Sequence, residues 1–154
     1  MVALSDFGCS RDIGTEQQMT PRMATLYYRA PEILLGQKYG RSCDVWSTGI
    51  TFVDVEVENP PFQIETEFKL LQEILQTVGV RVKNLELCTT SVKQSGSKWG
   101  ETYGGEFQAL VDSMLVIDLD HRISSRLAAR RSLAWWSRSQ PLAGPLLAGS
   151  VQPS

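Results

Sequence analysis

The chain has 154 residues, enough for one domain around a single hydrophobic core. It is 42% hydrophobic and 21% charged with a formal net charge of −2, so nothing global draws it to nucleic acid or to a membrane. No apolar run reaches the roughly 18 residues of a membrane helix, the N-terminus lacks a secretory layout, and three scattered cysteines (Cys9, Cys43, Cys88) without a CxxC pair suggest a reduced protein inside the cell, in cytoplasm or nucleus.

In chain order, Val2-Ala3-Leu4 has the pattern of a short buried strand that stops at Asp6-Phe7-Gly8, where glycine permits a sharp turn. From Cys9 to Leu26 there is no periodicity, and a loop of that length is usually functional. Ala30 to Leu35 reads as a short helix, with Pro31 in the first turn where its missing N–H costs nothing. Ser42 is placed to cap a helix from about Cys43 to Val57. Val45, Trp46, Gly49, Ile50, Val53 and Val57 cover so much of that helix that it should be central and buried.

Asn59-Pro60-Pro61 ends that helix, and Thr66 is placed to cap the next. Leu70, Leu71, Ile74, Leu75 and Val78 follow at helical spacing up to a stop at Gly79. Val80 to Gly105 reads mostly as loop. Phe107, Leu110, Val111, Met114 and Leu115 mark another amphipathic helix. Ser124 is placed to cap a last one, reaching about Trp136 and carrying Arg126, Arg130 and Arg131. A basic helix near Trp135 and Trp136 invites a membrane or calmodulin reading, but a surface helix with solvated arginines and a packed tryptophan is the simpler one. Residues 137–154 are rich in Ser, Pro, Gly and Ala and read as a flexible tail. The expected fold is mainly α, helices around a central buried helix with little strand.

Three segments carry recognisable chemistry. They are Asp6-Phe7-Gly8, Tyr27-Tyr28-Arg29-Ala30-Pro31-Glu32 and Asp44-Val45-Trp46-Ser47-Thr48-Gly49, with Asp6 24 positions before Ala30 and Glu32 12 before Asp44. In this order and at these spacings they resemble the DFG, APE and DxWxxG motifs of eukaryotic protein kinases. Asp118-Leu119-Asp120-His121-Arg122-Ile123 is similar to a fourth family segment, with leucine where proline is usual. Tyr28 to Gly36 narrows the resemblance to the group of cyclin-dependent, MAP and related kinases, and Met19-Thr20-Pro21 with Thr25-Leu26-Tyr27 to the cyclin-dependent branch. The resemblance covers roughly Val2 to Trp136, so residues 1–136 are expected to form part of a kinase domain, namely its C-terminal lobe.

The resemblance implies a role for each matching residue. Asp6 resembles the magnesium-binding aspartate, a hard oxygen ligand suited to that ion. Thr20 aligns with the activation-loop threonine that is phosphorylated in relatives, and Arg11 with an arginine that would receive the phosphate. Thr25 resembles the threonine that contacts the catalytic aspartate. Tyr27, where most relatives have tryptophan, and Arg29 resemble the residues of the pocket that takes substrate proline after the acceptor. Glu32 and Arg122 resemble a buried ion pair, and Asp44, Trp46 and Gly49 structural residues of the central helix.

Only five residues precede Asp6, so no Gly-rich loop, ATP-site lysine or HRD catalytic loop lies within this sequence. The intact parent would use ATP and magnesium to phosphorylate protein substrates on Ser or Thr before proline, with a cyclin-like activator as an open question. Neither cofactor is expected to bind this chain tightly, and the chain alone is expected to be inactive. The rival readings are a non-catalytic interaction module and a truncated gene product.

Overall fold

A computed structural model describes residues 5–10, 24–57, 61–62, 64–78 and 105–139. Two single 3-10 turns, Phe7–Cys9 and Leu26–Tyr28, precede five helices: α1 (Pro31–Leu34), α2 (Ser42–Val57), α3 (Glu67–Val78), α4 (Gly105–Met114) and α5 (Ser125–Ser139). No strand occurs among the described residues. The strand expected at Val2-Ala3-Leu4 and the loop expected over 80–105 lie outside them or on their margin.

The α2 helix is the hub. It packs against α4, α5 and the Leu26–Tyr28 turn, while α4 packs on α5 and α1 on α3. Its inward positions Trp46, Ile50 and Val53 are fully buried, and Val45 nearly so. Two of its hydroxyls bond back along the helix. Thr48 Oγ1 donates to the Asp44 carbonyl (2.7 Å) and Thr51 Oγ1 to the Ser47 carbonyl (2.8 Å). Gly49 makes the hub possible, because a β-carbon there would stand 2.9 Å from Leu115 Cδ2 and 3.1 Å from Met114 Cβ. The absence of a side chain lets α4 close on α2.

The other helices bury one face each. In α4 the buried residues are Phe107, Leu110, Val111 and Met114, the i, i+3, i+4, i+7 pattern of one helical stripe. In α3 they are Leu70, Ile74 and Thr77. Ser124 caps α5: its Oγ accepts from the Leu127 N–H (3.4 Å) and its carbonyl from the Ala128 N–H (2.8 Å).

Two boundaries differ from expectation. Ser42, expected to cap α2, is its first helical residue. The α5 helix runs on to Ser139, so residues 137–139 are helix and not tail. Arg138, on this extension, pairs with Glu106 of α4 at 2.8 Å. Trp135 packs on the core through Phe107, with ring centroids 4.9 Å apart, whereas Trp136 is 60% exposed.

Candidate functional site

The frame of the site is the contact between α1 and the loop before α5. Glu32 and Arg122, 90 positions apart in sequence, meet in a two-pronged ion pair with Nη1–Oε1 at 2.7 Å and Nη2–Oε2 at 2.9 Å. Both side chains are buried. The guanidinium has three further partners. Nε donates to the Val116 carbonyl (2.7 Å), Nη1 to the Ser42 carbonyl (3.0 Å) and Nη2 to the Ile117 carbonyl (3.5 Å). All five of its N–H groups are used, as a buried charge requires. Its Cζ lies over the ring of Trp46, 5.2 Å from the centroid, which ties the pair to α2. The Trp46 indole N–H has no hydrogen-bond partner among the described residues. The segment before Arg122 turns on Asp118, whose carboxylate accepts from the Asp120 N–H (3.0 Å) and meets His121 Nδ1 (2.8 Å). The His121 contact first, then the Asp120 N–H, holds the Asp118 carboxyl below its usual range.

Upstream of α1 lies the segment from Ala24 to Arg29. Ala24 has a positive φ of 65°, which is unusual for a residue with a β-carbon. Arg29 Nε donates to the Ala24 carbonyl at 2.9 Å, and Arg29 Nη1 donates to Glu67 Oε1 of α3 at 2.8 Å. Thr25 is exposed, and its side chain makes no capping bond to the Leu26–Tyr28 turn. Tyr27 is half-buried in that turn. The turn is fastened to α2 at Tyr28, whose hydroxyl donates to Asp54 Oδ2 (2.6 Å) and whose carbonyl accepts from Ser47 Oγ (2.8 Å). The Asp54 hydrogen bond, then burial, raises the pKa of Tyr28.

Asp6 is exposed at φ 60°, with its Oδ1 accepting from the Gly8 N–H at 3.3 Å. It offers one hard oxygen of the kind magnesium takes. No cluster of three or more His, Cys, Asp or Glu side chains that could hold a metal ion occurs among the described residues. Asp44 is exposed and its Oδ1 accepts from Cys43 Sγ at 3.8 Å. Burial, then the Asp44 charge, pushes the Cys43 thiol up to about 11. Thr20 and Arg11 lie outside the described residues.

Three structural features of this region escaped the sequence reading. The left-handed backbone at Ala24 has no signal in its residue type. The Glu67 contact joins residues 38 positions apart. Asp54 did carry a signal, since it is an acid inside a helix that is otherwise apolar on most sides.

Residues 1–133 match the protein kinase domain family, and the chain belongs to that family. Curated relatives point to the cyclin-dependent type. A protein of Encephalitozoon cuniculi named "Probable serine/threonine-protein kinase KIN28 homolog" is 40% identical over 84 residues, 54% of this chain and 27% of that one. Cyclin-dependent kinase G-2 of Oryza sativa subsp. indica is 41% identical over 78 residues, 49% of this chain and 11% of that one, and its subsp. japonica counterpart gives the same figures. The chain therefore spans about a quarter or less of the length of these relatives. The mostly helical fold agrees with a kinase C-lobe. No helix among the described residues is long and apolar enough to cross a membrane.

Proposed function

We propose that these residues form the substrate-side half of a cyclin-dependent kinase-like Ser/Thr kinase whose parent transfers the ATP γ-phosphate to Ser or Thr followed by proline. The observation that carries the reading is the hydrogen bond from Arg29 Nε to the Ala24 carbonyl. Ala24 is exposed beside the turn bearing Thr25 and Tyr27, has a positive φ, and offers its carbonyl to Arg29. A peptide lying there finds that acceptor occupied. A residue after the acceptor that carries an N–H loses a partner, at about 1–3 kcal/mol for a desolvated group, or roughly 5- to 150-fold in affinity. Proline has no N–H and loses nothing.

In this reading Asp6 supplies one magnesium ligand, and ATP with its metal serves the intact parent. Magnesium, when bound, neutralises charge on the phosphates. Thr20 is the proposed phosphosite with Arg11 as a partner, and Thr25 supports the catalytic contact. Protein substrates, a cyclin-like activator and work in cytoplasm or nucleus belong to the same proposal. The 154 residues alone hold Asp6 but not the lysine, Gly-rich loop or HRD loop, so they are proposed to transfer no phosphate by themselves.

Fluorescence anisotropy with two degenerate peptide libraries, one Ser-Pro and one Ser-Ala at the centre, tests the selection. The Ser-Pro library should bind this chain at least five times more tightly, in line with the loss of one hydrogen bond. Equal binding would contradict the proline reading.

A further inference from the structure

We propose that the outward face of α5 is a docking site for an acidic helix of a partner protein. Arg126, Arg130, Leu133 and Trp136 carry it. Successive members stand four, three and three positions apart, so they run as one stripe along the helix. All four are exposed, Leu133 by 69% and Trp136 by 60%.

The helix is one-sided in charge. It holds Arg126, Arg130, Arg131 and Arg138 and no acid, whereas the whole chain carries 17 acidic against 15 basic residues. Arg138 has a carboxylate in reach and takes it, with Nε 3.0 Å and Nη2 2.8 Å from Glu106 Oε2. Arg126, Arg130 and Arg131 have no carboxylate partner among the described residues. Arg126 also stands against two local preferences. It lies in the first turn, where the helix dipole favours acids, and one turn before a like charge, Arg130. Residues that weaken their own element are expected where function asks for them. The longer stretches outside the described residues offer no net negative charge. Residues 11–23 balance Asp12 and Glu16 with Arg11 and Arg22, residues 79–104 set Arg81, Lys83, Lys93 and Lys98 against Glu86 and Glu101, and residues 140–154 hold no charged side chain. The complement therefore comes from another molecule.

The apolar half of the stripe is fixed from below. Trp136 packs on Trp135, with ring centroids 6.4 Å apart, and Trp135 on the core residue Phe107. A tryptophan held in place beside unpaired arginines has the make-up of an interface hot spot. Lipid fits the face less well. A membrane-bound helix turns an unbroken apolar face to the bilayer, but α5 spends Ala128 and Trp135 on the core. Its three unpaired arginines also fall short of the roughly four to eight basic residues that hold a segment on anionic lipid. Carboxylates suit guanidiniums better, because they match the planar fork two bonds at a time.

The test is fluorescence anisotropy of the full 154-residue chain with a labelled helical peptide of Glu, Leu and Ala, leucines on one face and glutamates along its edges. A twin peptide with Gln for Glu, and vesicles of phosphatidylserine and phosphatidylcholine, are the rival probes. The Glu peptide should bind at least about tenfold more tightly than its twin. The double variant Arg126→Gln with Arg130→Gln, and separately Trp136→Ala, should each weaken that binding at least about tenfold. Melting temperature separates docking from folding: the double variant should melt no lower than wild type, since it removes a repulsion and an opposed dipole. Equal binding of both peptides, no binding of the Glu peptide, variants that bind like wild type, or a lower melting temperature of the double variant each overturns the inference. Vesicle binding that the double variant abolishes, with the Glu peptide left unbound, overturns it too and assigns the face to lipid.

Discussion

The side chains that matter most are charged groups that folding has taken out of water. Arg122 is the extreme case, with its charge met by Glu32 and its remaining N–H groups met by three backbone carbonyls. Such a pair adds little net stability over a well-packed apolar substitute, but losing one partner strands the other. Glu32→Gln keeps shape and leaves the Arg122 charge buried without its counterion, so urea unfolding should show a loss of about 3–5 kcal/mol. Glu32→Leu combined with Arg122→Met should recover a large part of it. A single-variant loss below about 1 kcal/mol, the range of exposed pairs, would contradict the buried geometry. Cys43 gives a second residue-scale test. With its thiol pushed up to about 11 by burial and the Asp44 charge, it stays protonated near neutral pH. Iodoacetamide at pH 7.5 followed by mass spectrometry should modify the exposed Cys9 at least about ten times faster than Cys43.

Helices and turns set where these groups stand. The α2–α4 crossing depends on the missing side chain at Gly49, whose β-carbon would press on Leu115 Cδ2 and on Met114 Cβ. Gly49→Ala should cost about 1–3 kcal/mol despite the better helix propensity of alanine, and thermal unfolding reads the sign directly. The turn before α5 responds to acid. The Asp118 carboxyl is held below its ordinary value by His121 and the Asp120 N–H. A folded-state pKa below the unfolded one stabilises the fold above the unfolded value, and that stability fades as pH falls through the depressed folded value. The difference in melting temperature between wild type and Asp118→Asn should therefore be present in full above the ordinary carboxylate value and shrink as pH falls through the depressed one. A difference independent of pH would remove the charge from the explanation. The helices themselves were mostly legible, because apolar spacing is a local property: α2, α3 and α4 fall where Trp46, Ile74 and Val111 predict them. The end of α5 was less so. Ser137 and Arg138 look like tail by composition, but Arg138 reaches Glu106 on α4, a contact that composition does not carry.

At the scale of the whole molecule, the motif residues were legible and the contacts among backbone groups were not. Glu32 and Arg122 announce themselves by residue type and order, since a bidentate acid–base pair needs those side chains. The Ala24 carbonyl announces nothing, because any residue has one; only the fold turns it to Arg29, and only α3 brings Glu67 to the same guanidinium. What emerges is a helical body built on α2. One end carries the Arg122 anchor, and the Ala24–Arg29 surface is strapped to the same helix by Tyr28 and Asp54. That surface is a substrate platform in the proposed reading, and phosphoryl transfer further needs a positioned nucleotide and metal. The central claim is met most directly by a radiolabelled ATP transfer assay on Ser-Pro peptides. It would be run with the 154-residue chain alone and with the same chain joined downstream of the nucleotide-binding half of the Encephalitozoon cuniculi relative. The account predicts no transfer by the chain alone and transfer by the joined protein. Turnover by the chain alone, or a folded joined protein that transfers nothing, would contradict it.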